Sequence, residues 1–289
     1  MPDLSLLIGP FVVGSYFNAI LYGVLLVQAN IYYSTSKGDR LWMRYLVLFL
    51  IIAETVDVIA DFELIWQPLI TENGTSRALE VSPTALRAEP VVTATISTLV
   101  EIYMGWRIRK LTSSNLLFGL IAFLAFSSLV GGVSSTILVS LMPEYSQFIN
   151  FQGAILTWLI SSATADIVIA VSLVVYLVKN KGNFKATDTV IDRIIRVTVQ
   201  TGALTSIAAI SDCLTFVLDS HSTLQFIWDL PLAKLYTISL LSSLNARAQW
   251  QRMLDKDRNT SFIDFAPGIQ ISESPVSERV TKFSTIVDE

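Results

Sequence analysis

The chain has 289 residues, of which 52% are hydrophobic and only 15% charged, and its mean hydropathy is +0.57. Soluble domains carry about 25% charged residues, so this deficit points to lipid as the main solvent. A net charge of −4 with no basic tract gives no footing for nucleic-acid binding, and the single cysteine, Cys213, excludes an intrachain disulfide framework or a cysteine-based metal site.

In chain order, seven segments are long enough to cross a hydrocarbon core, which takes about 20 helical residues. They are Leu6–Tyr32, Tyr45–Trp66, Pro90–Trp106, Leu116–Leu141, Ala154–Val178, Ile195–Leu218 and Phe226–Asn245. Lipid offers backbone groups no hydrogen-bond partner, so each is expected to be helical. The first, in "MPDLSLLIGPFVVG", has neither a basic leader nor a small-residue cleavage site and is expected to stay as an anchor. The third holds Thr93, Thr95, Ser97, Thr98 and Glu101, and so is expected inside the bundle. The small-residue runs "GGVSS" from Gly131 and "SSATAD" from Ser161 read as close helix packing.

Lysine and arginine set the orientation. Lys37, Arg40 and Arg44, then Arg107, Arg109 and Lys110, then Lys179, Lys181, Lys185 and Arg193 occupy alternate connections, and Arg247, Arg252, Lys256 and Arg258 follow the last span. The other connections hold only Arg77 and Arg87. The positive-inside rule then places the N-terminus outside and the C-terminus in the cytosol. The long outer loop contains "NGT" at Asn73, a glycosylation acceptor pattern. The expected organisation is a seven-helix membrane domain over residues 1–255 and a disordered cytosolic tail over 256–289, rich in Ser, Thr and mixed charge.

Ionisable residues within spans are costly and normally face the bundle interior. Glu54, Asp57 and Asp61, spaced three and four apart, share one face of the second span. The third contributes Glu101, the fifth Asp166 and the sixth Asp212. Lys234, in the seventh, is the one basic residue deep in any span and calls for an acidic partner. Counted by helical rise, Asp57, Asp61, Asp212 and Lys234 share the outer half. Asp61 or Asp57 is the expected partner, with Asp212 next. Glu101 and Asp166 have no basic residue at their depth. They are expected to be protonated, bonded to neighbouring hydroxyls such as Ser161, Ser162 and Thr164, or open to a wet cavity.

Known sites are hard to assemble from these residues. His221 is the sole histidine, which leaves no intramembrane zinc centre and no Ser-His-acid triad, and no phosphate-binding glycine loop is present. Neither an enzyme, a metal nor a cofactor is expected. The run "WDLPLAK" superficially resembles the retinal segment of microbial rhodopsins. That family places its aspartate four residues before the lysine, whereas Asp229 and Lys234 are five apart around a proline. The third span ends "GWRIRK", without the acid-Arg-aromatic triplet of rhodopsin-like receptors, and the seventh lacks Asn-Pro-x-x-Tyr.

The motifs "DRLW" from Asp39, "LTWLISSATAD" from Leu156, "DRIIRVTVQTG" from Asp192 and "DLPLAKLYTISLLSSLNAR" from Asp229 resemble another group. It is a family of seven-helix membrane proteins abundant in mushroom-forming fungi, catalogued as domain of unknown function 6534. The resemblance is strongest over 154–250. It implies a fungal integral membrane protein and brings no catalytic residue, ligand or partner.

The resulting expectation is an all-α seven-transmembrane bundle, multi-pass in a plasma membrane or endomembrane. Its leading role is receptor- or sensor-like, with an outward polar pocket for a small molecule lined by Asp57, Asp61, Asp212 and Lys234. The alternatives are a small solute or proton-coupled transporter, motivated by Glu101, Asp166 and a weak three-plus-one-plus-three repeat, and a structural or assembly protein without ligand.

Overall fold

The computed structural model describes residues 4–35, 38–71, 81–142, 144, 152–180, 185–218 and 223–263. Among them are seven α-helices: α1 (Leu4–Thr35), α2 (Leu41–Trp66), α3 (Thr84–Thr112), α4 (Asn115–Leu141), α5 (Gln152–Asn180), α6 (Lys185–Leu218) and α7 (Phe226–Ile263). A π-helical turn, Gln67–Thr71, extends α2. Each apolar segment named above lies within one helix. The last helix continues to Ile263, past the boundary that composition placed at residue 255.

Among the described residues, four helical stretches are long and apolar enough to cross a membrane: Ile8–Thr35, Asn115–Leu141, Gln152–Tyr176 and Gln200–Leu218. The chain is therefore membrane-embedded. The remaining helices, α2, α3 and α7, are the ones that carry most of the intrahelical charge. Glu54, Asp57 and Asp61 sit on α2, Glu89 and Glu101 on α3, and Asp229 and Lys234 on α7. All seven of these side chains are buried, so the charge on these helices marks a polar interior face.

Consecutive helices pack side by side and α7 closes the ring against α1. Across the middle, α3 also meets α5 and α7, while α2 touches α7. The outer faces of the other helices present large apolar side chains such as Ile20, Ile59, Phe123, Val171 and Ile207, each more than half exposed. A surface this apolar suits lipid and would be an aggregation-prone patch in water. By contrast, the exposed large hydrophobics of the described residues include only Ile102 from α3 and Trp228 from α7. The interior position expected for the third span is what the packing gives.

Glycines set two of these contacts. A Cβ added at Gly132 would lie 2.4 Å from the Ala94 Cβ and 2.9 Å from the Pro90 carbonyl on α3, while one at Gly131 would lie 2.6 Å from the Trp158 backbone nitrogen on α5. The pair "GG" thus wedges α4 between its two neighbours at backbone distance, as its small-residue run implies. At the same end of the bundle, Phe11 of α1 stacks on Phe226 of α7 with ring centroids 4.4 Å apart.

Candidate functional site

The helical spacing of Glu54, Asp57 and Asp61 turns all three inward, and Glu63, off that face, is exposed. Opposite them, Lys234 is 0% exposed. Its Nζ donates to Asp57 and lies 3.1 Å from Glu54 Oε2. Thr237, one turn further along α7, donates to Glu54 Oε1 at 2.5 Å. Asp61 instead accepts a hydrogen bond from Asn18 of α1. The outcome is a sealed polar seam across α1, α2 and α7 in which the lysine is answered twice.

Glu54 is the partner that depth counting overlooked. A lysine side chain is long enough to reach two acids a helical turn apart, so the rise per residue alone ranks its partners poorly. Asp212 does not approach this seam.

A second cluster lies on the other side of α7. Residues 234 and 236 point about 200° apart on a helix, so Tyr236 faces α3 and α5. Its hydroxyl donates to Asp166 Oδ2 at 2.8 Å and lies 2.9 Å from Ser162 Oγ. Ser162 donates to Glu101 Oε1 at 2.6 Å, and Thr205 of α6 also bonds Asp166. This forms a continuous chain Glu101–Ser162–Tyr236–Asp166, with a small cavity beside it bounded by Val100, Met104, Gly202 and Ser239. Of the hydroxyls the sequence offered, Ser162 is used across helices, whereas Thr164 turns back to the Ile160 carbonyl at 2.6 Å. Tyr236 was the member that its sequence context did not announce.

The third cluster gathers Glu89, Asp212 and Asp229 from α3, α6 and α7. They line a cavity with room for water of ≈ 40 Å³, at the end where α4 and α6 finish and α3, α5 and α7 begin. Its walls include Trp158, Phe216 and Phe226, and its partly exposed members are Ile155 and Gln225. Thr93 donates to Glu89 at 2.8 Å, and Glu89 shares a hydrogen bond with Asp229. Asp212 Oδ2, Asp229 Oδ1 and Gln225 Oε1 are buried atoms without a hydrogen-bond partner. Buried polar atoms are nearly always paired, so three such acceptors around one cavity need an explanation.

Glu89 and Asp229 were not singled out as site residues from the sequence, although each stands just before a proline: Glu89-Pro90 and Asp229-x-Pro231. Both prolines lie inside their helices rather than in the first turn. Each therefore withholds an N–H from the carbonyl four residues back, Leu86 and Ile227 respectively. Leu86 and Pro90 both border the cavity. Two acid-proline pairs on helices running in the same direction are the signal that locates this end.

Asn73 and His221 lie outside the described residues. Among the described residues, no group of three His, Cys, Asp or Glu side chains is placed to hold a metal ion. Cys213 is partly buried beside Asp212.

No curated protein and no solved structure matches the chain. Residues 162–249 match the family described as "Family of unknown function (DUF6534)". The matched segment runs from α5 through α6 into α7 and contains Ser162, Asp166, Asp212, Asp229, Lys234 and Tyr236. Every one of the three clusters thus draws members from the part of the chain that resembles that family.

Proposed function

We propose that this is a non-enzymatic, receptor- or sensor-like protein of seven membrane-spanning helices, N-terminus outside, whose ligand pocket is the cavity bounded by Glu89, Asp212 and Asp229. The observation that carries the reading is the contrast between two buried charge clusters. Each acid of the first has a donor, Asp57 from Lys234, Glu54 from Thr237 and Asp61 from Asn18, and its unbonded Glu54 Oε2 lies 3.1 Å from the Lys234 ammonium, which suits a packing role. Asp212 and Asp229 keep acceptor atoms unpartnered at a cavity. The pocket therefore lies not around Lys234 but at the helix ends, which basic residues at the opposite end assign to the outside.

The test is a ligand screen on the purified protein, read by thermal unfolding. A compound that raises the melting temperature of the wild type but not of Asp212→Asn supports the pocket. A screen in which no compound stabilises the wild type more than Asp212→Asn would sink it.

A second reading, a proton-coupled carrier, is favoured by the chain Glu101–Ser162–Tyr236–Asp166, whose hydroxyls can relay a proton between two carboxyl groups. In liposomes it predicts a flux that Asp166→Asn or Glu101→Gln abolishes. A structural or assembly role without ligand predicts neither flux nor stabilisation.

A further inference from the structure

We propose that the cavity between α3, α6 and α7 takes a small primary ammonium cation, a protonated alkylamine, as its ligand. The inference rests on the pocket reading above and adds the chemical class.

The cavity offers acceptors and apolar walls. Asp212 Oδ2, Asp229 Oδ1 and Gln225 Oε1 have no donor, and Asp212 and Asp229 are 2% and 5% exposed. No lysine, arginine or histidine is among the described residues that line it. An anion would face the Asp212 and Asp229 carboxyl groups with no basic residue beside them, and a neutral apolar ligand would leave three buried oxygens unpaired. A cation with hydrogen-bond donors answers both demands.

Two observations narrow the cation. The described acids are not arranged to surround a metal ion, which demands ligands converging at about 2.0–2.6 Å. An ammonium group instead reaches its acceptors through three N–H donors at about 2.7–3.2 Å each, so it bridges oxygens held further apart. Three donors match the three unpartnered oxygens in number. A quaternary ammonium has no N–H to give them, so it satisfies the charge and not the acceptors. The remaining walls, Trp158, Phe216 and Phe226, suit a short alkyl chain and the face of a cation. A space of ≈ 40 Å³ limits that chain to a few carbons.

The experiment uses the full chain in lipid nanodiscs at constant ionic strength. Melting temperature is measured against ethylammonium, tetramethylammonium and sodium chlorides. The expected result is a saturable rise with ethylammonium alone, since a ligand bound only by the folded state stabilises it by mass action. Asp212→Asn should weaken the apparent affinity at least tenfold, and Gln225→Leu, at the partly exposed rim, should weaken it less. Calorimetric titration of the wild type supplies a measurement independent of whether the variants fold. Equal responses to all three salts, or an ethylammonium response that survives Asp212→Asn, would overturn the inference. If ethylammonium fails while another compound stabilises the protein through Asp212, the amine is wrong and the pocket stands. If no compound of any class does so, both fall.

Discussion

Lys234 of α7 and Asp57 of α2 form an ion pair 177 positions apart in sequence, with Glu54 3.1 Å from the same ammonium. The pair locks the hub of the bundle to its neighbour, because α7 hydrogen-bonds nearly every helix it touches. Thr237 reaches α2, Tyr236 reaches α5, Asn245 bonds Gln28 of α1 at 2.7 Å, and Ser243 accepts from Arg107 of α3. Leaving a buried charge uncompensated costs about 3–5 kcal/mol. Lys234→Met, which takes the cation from both Asp57 and Glu54, is expected to lose stability on this scale in denaturant titration, and Asp57→Asn, which leaves Lys234 with Glu54, is expected to lose less. Lys234→Met combined with Asp57→Leu should cost less than the two single effects summed, with Glu54, still bonded by Thr237, the one carboxyl left without its cation. Strict additivity of the two single effects would refute the pairing.

The glycine wedge gives a sharper contrast. Gly132→Ala places a methyl group against the Ala94 Cβ and the Pro90 backbone, and overpacking of this kind costs about 1–3 kcal/mol. Gly119→Ala, on the same helix with nothing within 4 Å, should be stabilising by about 0.5–1 kcal/mol through helix propensity alone. Opposite signs in parallel thermal melts are the expected outcome. Equal effects would mean that α4 does not approach α3 as closely as described.

Tyr236→Phe removes a hydroxyl that joins Ser162 to Asp166 and nothing else of the ring. Leaving buried partners unsatisfied costs about 1–3 kcal/mol, so a modest fall in melting temperature is expected. The same variant separates the functional readings. Under the carrier reading it breaks the relay and stops proton flux in liposomes. Under the receptor reading it leaves ligand stabilisation at the Asp212 cavity intact.

Orientation is tested on intact cells. An epitope at the C-terminus should be detected only after permeabilisation, and a cysteine placed at Arg109 in a Cys213→Ser background should resist an impermeant thiol reagent. Modification of Asn73, read as a glycosidase-sensitive shift on gels, would place its loop outside. Labelling of the C-terminal tag on unpermeabilised cells contradicts the proposed topology.

The helices were legible because lipid imposes long apolar runs, and the inward turn of Glu54, Asp57 and Asp61 follows from their spacing of three and four. The partner of Lys234 was legible to within one helical turn, since Asp57 stood among the expected partners and Glu54 did not. What spacing conveys poorly is how α6 rotates relative to α7. Asp212 matches Lys234 in depth, yet the fold sends it to the Glu89 and Asp229 cavity. Depth along one helix is local information, whereas the facing of two helices depends on packing such as that of Gly131 and Gly132. Tyr236 escaped notice for a related reason, as one aromatic residue among many until Ser162 and Asp166 are seen beside it.

The central claim is that the ligand site lies at Asp212 and Asp229 and that Lys234 serves packing. It is tested most directly by measuring ligand-dependent stabilisation side by side in Asp212→Asn and in the Lys234→Met, Asp57→Leu double variant. The account predicts that the first loses the response to an alkylammonium while the second keeps it, whatever its own starting stability. A response lost in the double variant and kept in Asp212→Asn would contradict it.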